Sequence, residues 1–80
     1  MTDIHRFTAR ALLAELAFRR GEYKEAGKSF EVTADAWLSA GGAGMRAAVL
    51  LRNALHSYEK AGSSEDAGRL RRRLAEADRK

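Results

Sequence analysis

The sequence predicts an all-α fold: four helices in 80 residues, arranged as two antiparallel helical hairpins. Three observations predict it. The segment Gly21-Glu-Tyr-Lys-Glu-Ala-Gly27-Lys is echoed by Gly62-Ser-Ser-Glu-Asp-Ala-Gly68-Arg, so one turn pattern, Gly-x-x-x-acid-Ala-Gly-base, is used twice between stretches of helical periodicity. There is no proline to interrupt a helix. Sixteen residues are alanine, which favours helix and close helix approach but buries little area per residue. A single domain spanning residues 1–80 with a thin core follows, at a size where one core barely suffices.

The first helix is expected from about Asp3 to Arg20, with Thr2 or Asp3 as N-cap, Arg19 and Arg20 in the last turn, and Gly21 just past the end. Ile4, Phe7, Ala11, Ala14 and Phe18 form one apolar stripe, and Ala9, Leu12, Leu13 and Leu16 form a second. A helix apolar on two sides must be covered twice. The second helix, about Glu22 to Ala40, carries Tyr23, Ala26, Phe30, Ala34 and Trp37 at core spacing, with Lys28, Glu31 and Asp35 on its outer side. Gly41-Gly-Ala-Gly44 then reads as a flexible connector. It is not a phosphate-cradling loop, because no strand precedes it and no Gly-Lys-Ser/Thr follows. The third helix, about Met45 to Ala61, buries Ala47, Ala48, Leu51, Ala54, Leu55 and Tyr58, and Gly62 ends it. Ser63 is the N-cap of the fourth, with Asp66 completing a near capping box. That last helix runs to about Asp78 on a narrow stripe of Ala67, Leu70, Leu74 and Ala77. Glu65 with Arg69 and Glu76 with Lys80 are spaced as i, i+4 pairs. It reads as a capping helix packed on one side.

Absence of cysteine removes disulfides and thiolate metal sites. No apolar run approaches the ~18 residues of a membrane span, and the first residues lack the zones of a signal peptide, so a cytoplasmic protein with no membrane contact is expected. The net charge of +4 arises in the second half, which holds nine basic against five acidic side chains, whereas the first half is balanced at six each. Arg69, Arg71, Arg72 and Arg73 supply most of the excess. They suit phosphates or an acidic partner, while the interspersed acids suit an ordinary solvated face. Catalytic groups do not converge. His5 and His56 are isolated, the serines lack a nucleophile turn, and Glu31 with Asp35 lacks the Glu-x-x-His half of a carboxylate metal site. Neither enzyme activity, nor a metal, nor a cofactor is expected.

The first hairpin resembles a tetratricopeptide repeat. Leu13 and Ala14 stand at that family's large-then-small pair, Gly21-Glu-Tyr23 at its turn, and Ala26 and Phe30 at the small and aromatic positions of its second helix. In the second hairpin Leu51, Tyr58, Gly62 and Ala67 fit, whereas Leu55 is large and Arg71 stands at an aromatic position. The turns are 41 residues apart against about 34 in the standard repeat, closer to elongated variants of the hairpin. The resemblance implies right-handed stacking of hairpins 3–40 and 45–79, and a groove lined by the first helix of each. Groove positions would be Thr8, Ala11, Glu15, Phe18 and Arg19 on the first helix. On the third they would be Val49, Arg52, Asn53, His56, Glu59 and Lys60, with Arg52, His56 and Lys60 as one row of donors able to hold a carboxylate or peptide carbonyls. Two hairpins are fewer than the three usually needed for a stable array. Self-association is therefore expected, either through Leu12 and Leu16 in a two-fold dimer or by swapping at the glycine connector. Function narrows to a protein–protein interaction scaffold or adaptor. Nucleic-acid binding by the last helix and a purely structural dimerisation subunit are the other classes.

Overall fold

A computed structural model describes residues 4–78, and the side chains of residues 6–77. Four helices follow one another: α1 (Ile4–Arg19), α2 (Tyr23–Ser39), α3 (Gly44–Lys60) and α4 (Ser64–Asp78). The expected N-cap at Thr2 or Asp3, the His5 and Ile4 side chains, and the Glu76–Lys80 pair lie outside the described residues. The helices pack in chain order, α1 on α2, α2 on α3 and α3 on α4. The Cα trace fills a slab of 37 × 31 × 13 Å.

All three turns use one device. Gly21, Gly41 and Gly62 adopt the left-handed region, at φ of 83°, 83° and 72°, where a Cβ would be strained. The next residue then donates back across the helix end: Glu22 N–H to the Ala17 carbonyl (2.9 Å), Gly42 N–H to Trp37 (2.8 Å) and Ser63 N–H to Tyr58 (3.0 Å). These are Schellman closures, which satisfy carbonyls that a helix end otherwise leaves open. The glycine stretch 41–44 is thus not the flexible connector its composition suggests. It is a third copy of the same cap, fixed further by the Trp37 indole N–H, which donates to the Ala43 carbonyl at 2.8 Å. That carbonyl also accepts the Ala47 N–H and so opens α3. Trp37 itself is edge-on to Phe7 (5.2 Å) and lies under the Arg46 guanidinium (5.4 Å).

The core is one layer of side chains deep, as the slab dimension requires. Ala14, Ala26, Ala34, Ala54 and Ala67 are buried at the helix contacts, and Phe30, Leu50, Leu51, Tyr58 and Leu70 fill the space between them. At Gly27 the α2–α3 contact leaves no room for a side chain: a Cβ there would lie 2.8 Å from the Tyr58 ring. Two buried hydroxyls, Thr33 and Ser57, donate to the carbonyls of Ser29 and Asn53 one turn back. Among the described residues no buried side-chain polar atom lacks a partner. The second stripe of α1 stays uncovered: Leu12, Leu13 and Leu16 are 55%, 64% and 46% exposed. Leu13, which stands at the large position of the repeat-like pair, belongs to this uncovered stripe.

Candidate protein-binding groove

α1 and α3 run side by side with little contact beyond the Phe18–His56 stack, and α2 lies beneath both. What remains between them is a groove floored by Phe30, which is 4% exposed. It has two confluent parts. Toward the helix C-termini is a cleft of about 200 Å³ lined by Glu15, Phe18, Arg19, Asn53, His56 and Ser57. Toward the N-termini is a wider one of about 560 Å³, where Ala11, Met45, Arg46, Val49 and Leu50 join Glu15 and Asn53. Of the residues placed in the groove from sequence, the fold brings together Ala11, Glu15, Phe18, Arg19, Val49, Asn53 and His56.

Arg52 and Lys60 do not join them. Arg52 is one residue before the lining Asn53, a rotation of about 100° that turns it out of the wall, and Lys60 is the last residue of α3, beyond the cleft's end at Ser57. Arg52 is exposed outside the groove, and Lys60 lines a shallow hollow against the first turn, with Tyr23 and Lys24. His56 does reach the wall, with its ring oriented by stacking on Phe18 (5.4 Å, 27°), and Phe18 in turn is edge-on to Tyr23 (4.9 Å). The polar groups that face a ligand are the Glu15 carboxylate, the Asn53 amide, the edge of the His56 imidazole and the Arg19 and Arg46 guanidinium groups. Arg46 and Met45 were not singled out in the sequence. Their signal was the continuation of the Val49/Asn53 row back into the first turn of the third helix.

Three of the four clustered arginines of α4 have carboxylate partners. Glu31, expected on a solvated face, is only 13% exposed in its side chain and is the hub of a network between α2, α3 and α4. Arg69 grips both of its oxygens, Arg73 reaches it at 3.4 Å, and the Tyr58 hydroxyl donates to it at 3.0 Å. Arg73 also donates to Asp35 (2.8 Å), Arg69 to Asp66 (3.0 Å) and Arg71 to Glu59 (2.7 Å). The Ser63 hydroxyl closes the set on Asp66 (2.6 Å), so the box forms between side chains. The Arg69 hydrogen bonds hold the Glu31 carboxyl below its ordinary value despite burial, and Ser63 with Arg69 does the same for Asp66. Burial, reinforced by Glu31, pushes the Tyr58 phenol up to about 12. The expected Glu65–Arg69 pair does not form, because Arg69 turns inward to Glu31 and Asp66. Arg72 alone of the four arginines is exposed without an ion pair among the described residues. Glu31 and Asp35, weighed from sequence as half of a metal site, instead face guanidinium groups.

No protein-family model matches the chain, and comparison with curated proteins and with solved structures found no match either. Among the described residues no helix is long and apolar enough to cross a membrane, and no group of three metal-ligating side chains gathers.

Proposed function

We propose that this protein is a non-enzymatic interaction module, a cytoplasmic scaffold or adaptor that takes a segment of a partner protein into the α1–α3 groove and works as a homodimer with Leu12 and Leu16 in the contact. One observation carries the groove. Two parallel helices stand apart over an apolar floor, and the large apolar side chains on the α3 rim, Met45 and Val49, are left 83% and 48% exposed. Exposed apolar surface beside a concave, partly polar wall is where a partner gains most on contact. From Met45 to Ser57 along α3 the groove runs about 18 Å, room for roughly five extended residues. Asn53 and the two arginines supply hydrogen bonds for main-chain carbonyls or an acidic side chain. The tetratricopeptide likeness of the first hairpin supports the same surface.

Nucleic-acid binding through α4 has less support, since three of its four clustered arginines are engaged by carboxylates and would have to exchange those partners for phosphates. The test is site-specific photo-crosslinking in native cells. A photoreactive residue at Val49 should give a discrete protein adduct, weakened by Arg19→Ala with Asn53→Ala, while one at Ala75 on α4 should give none. Equal adducts from both positions, or none from Val49, would leave the groove without a role and favour a purely structural subunit.

A further inference from the structure

We infer that a second copy of this chain covers the outward face of the first hairpin, meeting it about a two-fold axis on Leu12, Leu13, Leu16 and Val32. The inference rests on the reading of the chain as a self-associating module and assigns the surface that does it. The two ends of the helix row are chemically unlike. At the α4 end the surface is a lattice of carboxylates and guanidinium groups centred on Glu31. At the α1 end lie four of the seven exposed large apolar side chains among the described residues, Leu12, Leu13, Leu16 and Val32, at 46–64% exposure. They form one surface rather than scattered points. The three leucines share the outward side of α1, and Leu13 lines a single cleft of about 340 Å³ with Val32 of α2.

The occupant follows from area, charge and symmetry. A monomer of 8.8 kDa ordinarily exposes about 4,800 Å², whereas this one exposes 5455 Å². The excess approaches the roughly 800 Å² that each partner gives up in a standard interface. Around the apolar patch the charges are mixed, since Arg10 and Lys28 line the cleft with Leu13 and Val32 and Glu15 lines another with Leu12, so a second copy can offer acid to base. A purely acidic or purely basic partner would leave like charges opposed. Head-to-tail contact would press the leucines onto the charged α4 surface and strip water from it without compensation. Like therefore meets like, and an isologous contact closes at two copies instead of propagating.

The intact chain should scatter light at twice 8.8 kDa at tens of micromolar concentration. Leu13→Glu with Val32→Glu should halve that mass with helical circular dichroism unchanged, and Val49→Glu in the groove should leave it doubled. Because the chain has no native cysteine, Leu16→Cys gives a second readout in folded protein: mild oxidation should link two copies, whereas Ala75→Cys should not link. Wild-type protein that stays monomeric overturns the inference, as does a dimer dissociated by Val49→Glu but not by the paired end-face change. A dimer confirmed this way beside a Val49 crosslink that captures nothing would sink the groove alone.

Discussion

Gly27, Gly42 and Gly68 look alike in the sequence and differ in what surrounds them. A methyl group at Gly27 would lie 2.8 Å from a Tyr58 ring held by its bond to Glu31, and one at Gly42 would fall within 2.1–2.4 Å of the Trp37 indole. Gly68 has open space around it. Gly27→Ala should therefore cost about 1–3 kcal/mol through overpacking, and Gly42→Ala at least as much, because the indole must leave the Ala43 carbonyl. Gly68→Ala should instead raise stability by about 0.5–1 kcal/mol, since glycine is a poor helix residue. Urea midpoints of the three variants check the order. The twice-used sequence pattern gives Gly27 and Gly68 one role, and the fold separates them. Sequence shows that a glycine recurs, but not which aromatic ring lies opposite it across another helix.

At the scale of the element, α4 shows how a polar helix is kept in place. Leu70 and Ala67 are its buried anchors, and the rest of its hold is electrostatic, through Glu31 and Asp66. Both carboxyls sit below their ordinary values, so the folded state binds fewer protons than the unfolded chain as pH falls. Their contribution is thus present above the ordinary carboxylate range and is lost as pH drops through the depressed values. Urea midpoints taken from neutral pH down to about pH 3 should fall, and Glu31→Gln should flatten that slope. Tyr58 has the opposite sign. With its phenol raised to about 12, its share is intact below the unfolded value near 10 and is lost as pH rises toward 12. Ultraviolet titration should show this tyrosine ionising last, or only on unfolding. Helix limits were legible to within a residue or two from the glycines and the apolar spacing. The pairing of Arg69 with Glu31, 38 residues away, was not. Local i, i+4 rules favour Glu65, and only the packing of α2 beside α3 and α4 brings the better-desolvated acid within reach.

The whole molecule is a slab whose core is thin because its contacts are largely alanine, and that much was legible from composition and period. The groove was legible in part. The repeat resemblance pointed to Glu15, Phe18 and Asn53 as groove positions, but it could not show that helical rotation takes Arg52 out of the wall or that Phe18 holds the His56 ring. A chain this size stabilised by a partner copy should melt at a temperature that rises with its own concentration, by mass action. Scanning calorimetry over a hundredfold dilution measures it, and a constant midpoint would indicate a self-sufficient monomer. The turn at residues 41–44 bears on how such copies would come together. Gly41 closes α2, and the Trp37 indole clasps the Ala43 carbonyl, so the hairpins cannot swing apart without breaking a buried bond and exposing an indole. Exchange of hairpins between molecules would cost that bond and the burial of Trp37 in each copy, which favours copies that meet as finished bodies. Differently labelled populations should then mix as fast as the surfaces separate, without waiting for either chain to unfold.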